Sequence, residues 1–287
     1  MTNLFTRCVR VAAVVLFLAT WVAISTAAEG GRASGTFQGR DISMKVADAY
    51  AFYGSPSLGG KEKVIVVAVS NSAFIKNVID KYWDRKSALD RFFKDENTGL
   101  VYFEFDRKGR YRGLSYYFGP GNGCSYCADP AVASTVLLKN NKMSGKLSFP
   151  KGNDPNRWFD VSIDVAISSD DHGKPQGAGG GEPGKAYIAY HKALMGNDQN
   201  RLKPVLAAER RAAWKKAEAE GRGADFIAFL HEEHPKEARV PEAFIDGDHA
   251  LVLLEGTGGD GKVRGEARMI REQGAWRFEE ETVNPAN

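Results

Sequence analysis

The sequence predicts an α+β protein in two parts. The N-terminal part is mostly antiparallel β with a helical insertion. The C-terminal part opens with helices and closes with an antiparallel meander. Three observations carry this. Short alternating or β-branched runs dominate residues 35–168, the mark of half-buried strands. Residues 169–184 are dense in glycine and lack apolar periodicity, the composition of a flexible linker. Residues 185–287 pass from helical periodicity to strand alternation. The 287 residues, 43% hydrophobic and 26% charged, can supply a core to each of two domains.

The first 28 residues stand apart. Arg7 and Arg10 precede an apolar run from Val11 to Ile24, and Ser25, Thr26, Ala27 and Ala28 follow. A basic start, a short apolar middle and a small-residue end read as a signal peptide cleaved near Ala28, with export to the periplasm or the medium. An uncleaved anchor is the competing reading, but the run is short for a span of about 20 residues. Cys8 lies before the run, where a lipoprotein cysteine cannot be. Loss of Arg7 and Arg10 lowers the formal charge from +3 to +1. Such a near-neutral chain has neither the basic patch of a nucleic-acid binder nor a polybasic membrane segment, so no nucleic acid and no membrane beyond the signal peptide are expected.

In the N-terminal part, Thr36 to Phe52 has room for two short strands, and the run at Val64 to Val69 suits a buried one. Ser72 to Phe93 carries a helical pattern through Ile75, Val78, Ile79 and Tyr82, then Leu89, Phe92 and Phe93. Its second half can be a separate helix. Leu100 to Phe105 alternates and turns through Arg107-Lys108-Gly109-Arg110 into Tyr111 to Phe118, a hairpin signal. Ser144 to Phe149 and Trp158 to Ile167 add two strands. A single antiparallel sheet, a sandwich and a partly closed barrel all fit this pattern.

In the C-terminal part, Tyr187, Tyr190, His191 and Leu194 form a helical stripe that Gly196 can end. Asp198 can cap a second helix, short or kinked because of Pro204. Trp214 anchors a third, and Phe226 to Leu230 make a further apolar group. Four strands follow, at Val240 to Ile245, Ala250 to Glu255, Val263 to Arg271 and Ala275 to Val283.

That order resembles the nuclear-transport-factor-2-like (SnoaL-like) superfamily over about residues 184–287. The carriers are the helix AYIAYHKALMGNDQNRLKPVL, the strand pair EAFIDGDHALVLLEG turning at Asp246-Gly247-Asp248, and the final strand start Gly274-Ala275-Trp276-Arg277-Phe278. The resemblance implies a cone-shaped α+β domain in which a curved sheet wraps a helix around a pocket. The superfamily holds enzymes, ligand binders and accessory modules, so it does not decide function. In such a cone Tyr187, Tyr190, His191, Trp214, Trp276 and Phe278 are the pocket candidates, with plain core packing as the competing reading.

Other motifs are weaker. Cys124 and Cys127, after Gly119-Pro120-Gly121-Asn122-Gly123 and before Asp129-Pro130, suggest a loop pinned by a disulfide in an exported protein. A redox pair would need a helix N-terminus, and zinc would need a second ligand pair. The glycines at 119, 121 and 123 are followed by no Gly-Lys-Ser/Thr, which argues against a phosphate loop. His231-Glu232-Glu233-His234 has histidines three apart, against four in the zincin pattern, and reads as a solvated helix end before Pro235. Glu279-Glu280-Glu281 reads as a solvated charge run. No nucleophile elbow, metal set or cofactor motif is assigned. The expectation is a non-catalytic exported protein whose C-terminal domain binds an unknown small apolar molecule or a protein partner in its cone. The alternatives are a hydrolase or isomerase with His191 as base, and a thiol redox protein.

Overall fold

A computed structural model describes residues 31–40, 42–57, 62–93, 98–118, 122–127, 129–154, 156–259 and 261–286. The expected signal peptide lies outside them. The fold is α+β, with antiparallel sheets in both halves.

The N-terminal half contains β1 (Arg32–Gln38), β2 (Ser43–Val46), β3 (Asp48–Gly54), β4 (Val64–Ser70), α1 (Lys76–Ile79), α2 (Arg85–Phe92), β5 (Gly99–Phe105), β6 (Tyr111–Phe118) and β7 (Asn122–Cys127). It continues through β8 (Ala133–Ser134), β9 (Leu137–Lys139), β10 (Lys142–Phe149) and β11 (Trp158–Ala166). One sheet runs β2-β1-β11-β10-β8, with β9 also on β10; the other runs β3-β4-β5-β6-β7. Alternation aims Phe159, Val161, Ile163 and Val165 of β11 at Ala51, Val67, Val101 and Phe103 of the second sheet, and one core fills the space between. The opposite face of the second sheet is covered too. Tyr50, Val66 and Tyr102 pack there against Phe74, Ile79 and Leu89. Burial on both faces explains why β4 and β5 are buried along their whole length.

Two expectations change here. The stretch 36–52 holds parts of three strands, because the chain breaks at Ala47, whose N–H donates to Ser70 O. The C-x-x-C segment, expected in a loop, forms edge strand β7, with Cys124 opposite Tyr116 and Cys127 opposite Gly113. The side chains of Cys124 and Cys127, and with them the expected disulfide, lie outside the described residues.

The helical pattern of residues 72–93 divides into α1 and α2. Asp84 caps α2, its side chain accepting from Ser87 N at 3.1 Å. The N–H groups of Trp83 and Asp84 donate instead to Glu266 Oε2, at 2.9 and 3.0 Å. A carboxylate from the other half of the chain therefore takes two donors at the start of α2.

The glycine-dense stretch is laid on the C-terminal sheet. Lys174–Pro175 forms β12, Gln176 N donates to Ala243 O, and the His172 ring packs beside Trp83 and Phe244. Then come α3 (Gly181–Met195), α4 (Gln199–Val205), α5 (Ala208–Ala219) and α6 (Gly223–Glu233). The strands β13 (Glu237–Arg239), β14 (Ala243–Asp246), β15 (His249–Gly258), β16 (Gly261–Glu272) and β17 (Ala275–Pro285) follow. Their sheet runs β12-β14-β15-β16-β17, with β13 on β15. The stripe on α3 packs against β15, β16 and β17, and Tyr187, Tyr190 and Leu194 are fully buried there. Pro204, which cannot donate a helical hydrogen bond, sits one residue before α4 ends. No helix among the described residues is long and apolar enough to cross a membrane.

The halves meet along a seam. Trp83 stacks on Phe244 at 5.4 Å between ring centroids, and the Arg268 guanidinium lies 4.7 Å over the Tyr82 ring. Tyr82 donates to Glu280, Arg91 donates to Thr282 Oγ1 at 3.0 Å, and Lys63 pairs with Asp170 at 2.6 Å.

Candidate functional site

The unusual chemistry of the C-terminal half is a buried polar chain. Tyr187 and His191 lie one helical turn apart on α3, so both project to one face. His234 follows α6 in extended conformation (φ −93°, ψ 138°), where Pro235 stops the helix. That turn carries its ring beneath α3.

Glu281 arrives from β17 through a β-bulge. Phe278 pairs with Met269 and Glu281 with Ala267, so Glu279 is an extra residue between paired positions. Strict alternation after Trp276 and Phe278 would aim Glu280 at the core. The extra residue reverses the parity and aims Glu281 inward instead.

The groups then line up. Tyr187 Oη donates to Glu281 Oε2 at 2.8 Å. Glu281 Oε1 lies 2.6 Å from His234 Nδ1, and His234 Nε2 lies 2.6 Å from His191 Nδ1. The side chains of His234 and Glu281 are 0% and 4% exposed. With Nδ1–H of His234 donating to the carboxylate, its Nε2 accepts from His191 Nδ1–H. That leaves the lone pair of His191 at Nε2, which has no hydrogen-bond partner among the described residues. Burial, then the neighbouring His234, pushes the His191 pKa down, which keeps that imidazole neutral. Burial and the Glu281 carboxylate push the Tyr187 phenol well up, so it stays a donor.

Two sequence readings are corrected. His234 is not at a solvated helix end, although the half-exposed His231, bonded to Asn197 Oδ1 at 2.9 Å, lies beside it. Glu281 is not part of a solvated charge run, because the bulge at Glu279 turns it, rather than Glu280, toward the core. Of the pocket candidates, Tyr187 and His191 join the polar chain. Tyr190 stacks on Phe278 at 3.7 Å, Trp214 on Phe226 at 5.9 Å, and Arg271 covers Trp276 at 4.7 Å. Tyr190, Trp214, Trp276 and Phe278 are all buried in the core of this half.

His234 and Glu281 border a cleft of about 530 Å³ on the seam. Its charged walls are Asp90 and Arg91 from α2, with Glu232 and Lys262 from the C-terminal half. A second cleft of about 640 Å³ shares Ser87, Thr282, Asn284 and Pro285 with the first. Asn284 Nδ2 donates to Ser87 Oγ across this common wall, at 3.4 Å. The two clefts thus form one groove along the seam. Glu266 lines the far end at 4% exposure, and burial pushes its pKa up to about 7. Among the described residues, no group of three or more His, Cys, Asp or Glu side chains is arranged to hold a metal ion.

Comparison of the chain with protein-family models, with curated proteins and with solved structures finds no match.

Proposed function

We propose that this is an exported binding protein that takes a small polar molecule in the seam groove, without transforming it there. The observation that carries the reading is a groove walled by both halves, with mixed charges and a buried Glu281–His234 pair at its edge. Concave sites between structural units with a few placed polar groups are the usual form of a ligand site. At this edge both Glu281 oxygens and both His234 nitrogens already have partners. They are placed to hold the wall in shape rather than to exchange a proton with a ligand. In this proposal the N-terminal half is a sandwich, supported by two sheets around one core. The C-terminal half is a nuclear-transport-factor-2-like cone, supported by four helices that precede a meander and pack on it.

The test is intact mass of protein from the exported fraction, under native and then denaturing conditions. The reading expects an extra native mass that is lost on denaturation, and a chain that begins near Glu29. A clean native mass, with no melting-temperature response to a panel of small polar molecules, would overturn it.

A second reading rests on the open end of the polar chain. Glu281 and His234 back a neutral His191 whose Nε2 is available, the arrangement of a general base with an orienting partner. Hydrolysis of p-nitrophenyl acetate should then fall sharply in His191→Ala. A rate equal in the wild type and this variant would remove the reading.

A further inference from the structure

Two buried charged groups at the far end of the groove lack partners for part of their hydrogen-bonding capacity. Glu266 Oε2 accepts from Trp83 and Asp84, while Glu266 Oε1 has no partner. Arg85 is 3% exposed. Its Nη2 donates to Asp80 O and Ser169 O, its Nε lies 3.8 Å from Asp80 Oδ1, and its Nη1 has no partner. Both side chains line the same cleft of about 640 Å³. Leaving a buried polar atom without a partner is costly, and more so for a charged group, so such atoms point to a ligand.

The rest of the wall narrows what that is. Exposed Arg264 lines the cleft and has no ion pair among the described residues. The other charges there are already engaged: Lys63 with Asp170, Glu255 with Arg239, and Asp84 with Ser87. Between them stand hydroxyl and amide groups from Ser57, Ser87, Thr282 and Asn284. A cationic ligand would meet Arg85 and Arg264. An apolar ligand would leave both buried atoms bare. A carboxylate without hydroxyls would satisfy the arginines and set its charge near Glu266.

We infer that this end of the groove binds a polyhydroxylated carboxylate of the sugar-acid class, its carboxylate on Arg85 and Arg264 and a hydroxyl on Glu266 Oε1. The inference rests on the groove being a binding site. The raised pKa of Glu266 agrees with it, since a protonated carboxyl can approach an anion and still bond a hydroxyl. The groups that face Glu266 are the N–H groups of Trp83 and Asp84, the Asp84 carboxylate and the Arg268 guanidinium.

The experiment is calorimetric titration of the full mature chain with D-galacturonate, with D-galactose as the control lacking the carboxylate. Saturable heat with galacturonate is expected, and binding weaker by about tenfold or more with galactose or in Arg264→Ala, the loss of one charge-assisted contact. Wild-type binding should weaken as pH rises through about 7, where Glu266 ionises. Glu266→Gln keeps an oxygen for Trp83 and Asp84 but cannot ionise, so its binding should not vary over that range. No saturable heat from folded wild-type protein would overturn the ligand class, as would equal heat in wild type, Arg264→Ala and Glu266→Gln. If a native adduct is present but galacturonate does not displace it, the class falls and the groove stands. If neither adduct nor heat appears, both fall.

Discussion

Glu266→Gln also tests how the seam responds to pH. The ordinary glutamate value is 4.5, and burial raises that of Glu266 to about 7, against the lowering pull of the Trp83 and Asp84 N–H groups and Arg268. The folded-state pKa is thus raised above the unfolded one. Between the two values the native chain holds a proton that the unfolded chain has released, so stability falls as pH rises from about 4.5 to about 7 and is level beyond. Each unit is worth about 1.36 kcal/mol, so the loss across this window is about 3 kcal/mol. Glu266→Gln removes this dependence. It should be more stable than the wild type above about pH 7, less the cost of one unpartnered amide N–H, about 1 kcal/mol. Urea denaturation at a series of pH values, for both proteins, reads the difference directly. Parallel stability curves from about pH 4.5 to pH 8 would refute the reasoning, because they would mean that Glu266 titrates alike in the folded and unfolded chains.

Other substitutions test the remaining parts. Tyr187→Phe removes the donor to Glu281 Oε2 in a fully buried setting and should cost about 1–3 kcal/mol in chemical denaturation. Trp214→Ala, which empties a 1%-exposed site between α5 and the core, should cost about 3–5 kcal/mol by the same assay. Asp84→Ala loses the cap on α2 and should cost about 1 kcal/mol, seen as a lower thermal midpoint. The His191 ring should titrate below the ordinary histidine value of about 6.5 in proton NMR. Its contribution to stability is then full above that value and lost as pH falls through the lowered one. A midpoint above the ordinary value would contradict the buried His191–His234 contact.

The elements were legible where side-chain periodicity is local. The hairpin at Asp106–Arg110 forms around Gly109, whose φ of +80° is open to glycine and strained for other residues. The alternation of Trp158 to Ile167 appears as the buried face of β11. The candidate site was half legible. Tyr187 and His191 stood out as polar members of an apolar helical stripe, because spacing along one helix fixes their shared face. His234 was visible only as part of a histidine pair near a helix end, and its burial depends on how the chain turns out of α6 at His234, ahead of Pro235. Glu281 was hidden among three glutamates, since one extra residue in β17 reverses which of them points inward.

By itself the sequence determined the class of the protein, α+β with helices before strands in its second half, because hydrophobic period is a property of neighbouring residues. It also marked α3 as the helix that carries both the core stripe and the polar pair. The tertiary structure alone decided that Glu281, His234 and His191 meet, since they are brought together from three elements. It alone placed the division of the helical pattern at Trp83 and Asp84, where the Glu266 carboxylate takes two N–H groups. Hydrogen bonds between groups about 180 residues apart leave no periodic trace along the chain, and only folding selects them.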